Sequence, residues 1–92
     1  MKLSSFQLKT LKCIFDHGGQ AIAEGGGYWK GKDDVRLLVE PEPNAASGIV
    51  GTKTIYALES RALLKRVDAR SSHLATRCLT QAGFDIINQE EN

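Results

Sequence analysis

The stretch Gly51-Thr-Lys-Thr-Ile-Tyr-Ala-Leu-Glu-Ser-Arg-Ala-Leu-Leu-Lys-Arg-Val67 changes its periodicity part-way along, and that change governs how the rest of the chain is read. Thr52 or Thr54 offers a hydroxyl that accepts the first free amide hydrogens of a helix. Ile55, Leu58 and Ala62 recur at spacings that keep them on one face. From Leu63 to Val67 the residues favour a strand, Asp68-Ala-Arg-Ser-Ser72 supplies a turn, and His73-Leu-Ala-Thr-Arg-Cys-Leu79 reads as the returning strand. Thr80 then caps a helix over residues 81–88, in which Phe84 and Ile87 lie three apart and turn back toward the core. Ile86 lies off that stripe, to meet a partner or to sit exposed, and Gln89-Glu-Glu-Asn92 is expected to fray. The order is helix, hairpin, helix.

Upstream, Ser4 or Ser5 can cap a first helix whose stripe is Leu8, Leu11, Ile14 and Phe15, while Lys9, Lys12 and Asp16 face away. Gly18-Gly19 ends it. Gln20-Ala-Ile-Ala-Glu24 extends or follows that helix until Gly25-Gly-Gly27 makes continuation entropically costly. Tyr28-Trp-Lys30 and Val35-Arg-Leu-Leu-Val39 flank Gly31-Lys-Asp-Asp34 and predict a hairpin, with a short helix from Asp33 or Asp34 as the alternative. Glu40-Pro-Glu-Pro43 is a linker or turn, because each proline removes an amide donor and biases the residue before it toward extended geometry. Leu8, Leu11, Phe15, Ile55, Leu58, Leu63, Leu79 and Phe84 are the inward positions of these elements and are expected to form one core.

Ninety-two residues suit a single domain, 1–92, since a chain of this size buries roughly 60–65% of its unfolded surface. With 41% apolar and 25% charged residues the composition is that of an ordinary globular protein, and runs such as Leu37-Leu-Val39 are far too short to span a bilayer. Met1-Lys-Leu-Ser-Ser-Phe6 has no apolar stretch like that of a secretion signal, and Cys13 and Cys78 do not make a disulfide framework. A cytoplasmic location is expected, with no membrane partner. The net charge is only +1, but it is unevenly distributed. Residues 1–51 carry six cations and six acids; Thr52 to Cys78 carries Lys53, Arg61, Lys65, Arg66, Arg70 and Arg77 against Glu59 and Asp68; the remainder carries only the acids Asp85, Glu90 and Glu91. Cations therefore concentrate on the second helix and the hairpin, either as a binding face or as a solvated one.

Other chemistry is weakly supported. Gly26-x-x-x-x-Gly31-Lys32 copies most of a phosphate-binding loop, but Asp33 stands where a magnesium-binding hydroxyl belongs, so an ordinary turn is the better reading. Cys13 and His17 are four apart on a helix and His73 with Cys78 could add two zinc ligands, but residues five apart on a strand point to opposite faces. No metal or cofactor is expected. No nucleophile with a base and an orienting group is recognisable, so the chain is read as a non-enzyme. Tyr28 and Trp29 beside Lys30 and Lys32 could stack on bases or anchor a partner, but a lone tryptophan in a small domain usually completes the core.

Thr54-Ile-x-Ala-Leu-Glu-x-Arg-x-Leu-Leu64 followed by Leu79-Thr-x-x-Gly83 resembles the recognition helix, wing and closing turn of winged helix-turn-helix DNA-binding domains. The resemblance covers about a third of the chain and rests mostly on core residues. It implies an α+β winged helix: a small helical core with a C-terminal β-hairpin wing. The supporting helix would fall at Asn44-Ala-Ala-Ser-Gly48. Such domains usually carry glycine just after the recognition helix; here Ala62 stands there, so either the helix ends differently or the left-handed strain is accepted.

The function implied is binding of double-stranded DNA by a small transcriptional regulator or accessory protein, with a homodimer left open. Thr52, Lys53, Tyr56 and Ser60 would face the major groove; Arg70, Ser72 and His73 would touch sugar and phosphate from the wing, supported by Arg66 and Arg77 on its strands. The alternative is a protein-interaction module, or a subunit of a larger assembly without DNA binding. The convergence of Lys53, Arg66, Arg70 and Arg77 on one surface would discriminate between them.

Overall fold

The computed structural model describes residues 3–41, 43, 48–67 and 75–91, and the side chains of residues up to 89. Three helices pack with a four-stranded antiparallel sheet, an α+β arrangement. The elements are α1 (Ser5–Asp16), β1 (Gln20–Gly25), β2 (Tyr28–Lys30), α2 (Thr52–Ser60), β3 (Leu64–Arg66), β4 (Arg77–Leu79) and α3 (Gln81–Glu91). The sheet order is β2-β1-β4-β3, so its centre joins the two halves of the chain through the pairs Gln20–Cys78 and Ala21–Arg77.

Ser4, rather than Ser5, begins α1. Its hydroxyl accepts from the Gln7 amide at 3.1 Å while the Gln7 side chain accepts from the Ser4 amide at 3.1 Å, a reciprocal capping box. Leu11 and Ile14 are fully buried, as expected, but Phe15 is 45% exposed and Leu8 only half-buried. The stripe is centred further round the helix because Thr10 is buried too, its hydroxyl satisfied by the Phe6 carbonyl at 2.8 Å. Phe15 sits on the shoulder, edge-on to Phe84 of α3 with centroids 5.8 Å apart.

Gly18 and Gly19 end α1 at positive φ, and residues 20–25 form a strand instead of prolonging the helix. Gly25, Gly26 and Gly27, all at positive φ, turn the chain into β2. The hairpin expected after Tyr28-Trp-Lys30 is present as a narrow pairing: Lys30 bridges Arg36, and the Leu37 amide donates to the Trp29 carbonyl at 2.8 Å. The chain then doubles back, with Leu38 bridging Ile49 and the Val39 amide donating to Gly48 at 2.8 Å. Residues 44–47, most of the expected supporting helix, lie outside the described residues; the segments on either side of them are extended and paired.

The N-cap of α2 is Gly51, not a threonine: its carbonyl accepts from the Thr54 and Ile55 amides, and no side chain caps the helix. Thr52 is already helical and accepts the Trp29 indole N–H at 3.1 Å. Ile55 and Leu58 are fully buried, and Trp29 lies in the same core. Ala62 does not share their face. It lies beyond the helix at φ 61°, with its amide on the Glu59 carbonyl at 2.9 Å and the Leu63 amide on the Leu58 carbonyl at 3.0 Å. Those two bonds are the Schellman ending, with alanine in the place that glycine usually takes.

The ladder between β3 and β4 is longer than the assigned strands, since the Val67 amide donates to Thr76 and the Thr80 amide to Leu63. Thr80 caps α3 by accepting from the Gly83 amide at 3.2 Å and donates to the Ala62 carbonyl at 2.6 Å. Gly83 is required by close approach: a Cβ there would lie 2.7 Å from the Leu63 carbonyl oxygen. Ile87 is buried, while Phe84 and Ile86 are partly buried against the core. α3 continues to Glu91, three residues past the expected end at residue 88, as the helix propensity of Gln89, Glu90 and Glu91 permits.

The left-handed alanine gives a direct test. Ala62→Gly is expected to stabilise the protein by about 1 kcal/mol, less the extra chain entropy of glycine, raising the thermal midpoint by up to about 4–8 °C. A lower midpoint in a denaturation scan would contradict the Schellman assignment.

Candidate nucleic-acid interface

With Ile55 and Leu58 turned inward, the opposite side of α2 presents Lys53, Tyr56 and Ser60. Lys53 is exposed and Tyr56 is 38% exposed, whereas the Ser60 hydroxyl is used locally, donating to the Ala57 carbonyl at 2.8 Å. Thr52 is half-buried. Because its oxygen accepts from Trp29, its own O–H keeps a proton to donate. These four expected site residues share α2 and its first turn. Arg70, Ser72 and His73 lie outside the described residues.

Arg77 is not a surface residue. Its side chain is 0% exposed, so it cannot reach a phosphate, and the expected contact is replaced by an internal role. One terminal nitrogen donates to the Ala75 carbonyl at 2.6 Å and the other to Glu59 Oε1 at 3.0 Å. The guanidinium carbon is 5.7 Å from the Trp29 ring centroid and 5.5 Å from that of Tyr56, so two aromatic faces enclose the cation. The other Glu59 oxygen accepts from Arg66 Nε at 3.1 Å. Arg66 remains exposed, on the same face of the ladder as Arg77; Lys65, exposed as well, points to the other face.

Glu59 is the residue that the sequence reading missed. The signal was available: Glu59 is one turn after Ile55 and adjacent to Leu58, so it borders the buried stripe of α2 rather than its outer side. An acid in that position needs a cation, and of the three on the strands after the helix, Arg66 and Arg77 share the face that meets it.

The remaining candidates have other partners. The Cys13 thiol donates to the Leu38 carbonyl at 3.4 Å, and burial pushes its pKa up, which disfavours the reactive thiolate. His17 Nδ1 lies 2.7 Å from Asp33 Oδ2, and this hydrogen bond holds the Asp33 carboxyl below the usual carboxylate range. In the loop resembling a phosphate site, the Gly31 amide donates to Val35 and the Lys32 amide to His17, so neither is free for a ligand. A groove of about 330 Å³ runs between α1 and residues 38–40, bordered by Lys12, Cys13, His17 and the 57%-exposed Leu38.

Comparisons of the chain with protein-family models, with curated proteins and with solved structures found no match.

Loss of the buried cation is expected to be costly. Arg77→Ala should destabilise the protein by about 3–5 kcal/mol, since it opens a cavity beside Trp29 and strips Glu59 of its inner partner. The emission of Trp29, the only tryptophan, should shift as its ring loses that neighbour. An Arg77→Ala variant that melts within about 2 °C of wild type, a shift worth well under 1 kcal/mol, would show that the buried cluster is energetically idle.

Proposed function

We propose that this chain binds double-stranded DNA as a winged-helix domain, with α2 entering the major groove and the β3–β4 hairpin lying along the backbone. One observation carries the reading. The only acid of α2, Glu59, faces Arg66 and Arg77, so the outward side of the helix presents Lys53 and Tyr56 without a negative charge from the helix itself. Lys53 would meet a phosphate or a guanine edge, Thr52 would donate to a phosphate, and Tyr56 would make an apolar or hydroxyl contact. Arg66 adds a cation from β3, and a role as a small transcriptional regulator or accessory DNA-binding protein follows.

The succession α2, β3, β4, a helix followed by an antiparallel hairpin, supports the reading, while the full order α1, β1, β2, α2, β3, β4, α3 and its four-stranded sheet depart from a helical core followed by a hairpin. Before α2 the described chain is extended and paired, so α2 is held by Trp29 and Val50 rather than by a described preceding helix. A second reading, a protein-docking module, is favoured by the exposed apolar side chains of Val35 and Leu38 on the returning segment.

Salt-titrated binding to mixed-sequence duplex distinguishes the two. The wild type should bind more tightly than about 10⁻⁴ M, with affinity falling linearly in log salt between about 50 and 200 mM. Lys53→Ala should reduce that slope by about 1 if it meets a phosphate, or cost about 1–3 kcal/mol on a preferred site if it reads a base. Wild-type protein without salt-dependent affinity at that level would overturn the DNA reading in favour of docking.

A further inference from the structure

In the register of β3 and β4, Arg66 stands directly opposite Arg77. Like charges so placed repel, and Glu59 relieves the repulsion by giving one oxygen to each guanidinium, at 3.0 Å to Arg77 and 3.1 Å to Arg66. The two arginines are not equivalent. Arg77 is closed off from solvent and held by the Ala75 carbonyl and two aromatic rings, so it stays when Glu59 changes partner. Arg66 is exposed, and its tie to Glu59 is a single hydrogen bond. Glu59 is thus anchored from inside and offers Arg66 an anionic oxygen much as a phosphate would.

We propose that Glu59 is a built-in competitor for Arg66: a backbone phosphate gains Arg66 only by displacing a carboxylate that Arg77 holds in place. The inference rests on the DNA reading above and makes Glu59 a positioning residue acting through Arg66. Its consequence is thermodynamic. When a phosphate takes Arg66, the DNA releases a condensed cation, but the outer oxygen of Glu59 is uncovered and draws a cation back. Arg66 therefore contributes little to the salt slope, whereas exposed Lys53 contributes a full phosphate's share.

The test measures binding to mixed-sequence duplex across salt for wild type, Glu59→Gln, Arg66→Gln, Lys53→Gln and the Glu59→Gln/Arg66→Gln double variant, with circular dichroism melts alongside. Glu59→Gln should steepen the slope by about 0.9, which near 0.1 M salt is about an eightfold gain in affinity. The double variant should return to the wild-type slope, because the gain passes through Arg66. A gain that persists in the double variant would overturn the proposal, since Glu59 would then act only by long-range repulsion. So would a Glu59→Gln slope equal to wild type while wild type itself binds, and that result leaves the DNA reading intact. If Glu59→Gln does not fold, the single variants decide: Arg66→Gln should lower the slope by less than half of what Lys53→Gln does, and equal losses would overturn the inference. Absence of wild-type binding would remove both the inference and the reading beneath it.

Discussion

One carboxylate between two guanidinium groups sets much of this structure. The ladder places Arg66 opposite Arg77, and the fold encloses Arg77 completely. A guanidinium cannot shed its charge at any ordinary pH, so its burial is tolerable only with a counter-ion and filled hydrogen bonds. Glu59 supplies the first and Ala75 part of the second, while Trp29 and Tyr56 close over the faces of the cation. Four elements thereby converge: β4 carries Arg77, α2 carries Glu59 and Tyr56, β3 carries Arg66, and β2 carries Trp29. Trp29 also ties its indole N–H to Thr52 in the first turn of α2. The helix is pinned near both ends, and its angle on the sheet is fixed by charge as well as by Ile55 and Leu58.

The surface follows from this arrangement. A helix whose one acid is engaged by Arg66 and Arg77 leaves its one cation, Lys53, exposed on the other side, although the net charge of the chain is only +1. Tyr56 serves both sides, one ring face near Arg77 and the rest of its side chain in solvent. Any ligand of the outer face of α2 would therefore touch a residue in contact with the buried cluster.

What could be read from the sequence was local. The capping serine of α1, the inward positions Ile55 and Leu58, the Thr80 cap and the left-handed place of Ala62 all depend on residues within a few positions of one another. Single-residue signals suffice for them. What escaped was decided across the chain. Gln20-Ala-Ile-Ala-Glu24 becomes a strand because β4, more than fifty residues later, pairs with it. Phe15 lies at the seam with Phe84 while Thr10 is fully buried, which only the packed helix reveals. Arg77 looked like a surface cation because arginine usually is one; its burial depends on Trp29 of β2 and on Tyr56 and Glu59 of α2 meeting around it. The candidate interface was legible as a helix face, and its charge balance was not.

Amide chemical-shift mapping by NMR with a short duplex tests most directly the proposal that α2, oriented by the inner cluster, meets DNA with its outer face. The largest shifts are expected along Thr52–Ser60, at β3 and at the Trp29 indole, which reports on Thr52 through their hydrogen bond. Shifts confined to α1 and residues 38–40, or no shifts at all, would contradict it.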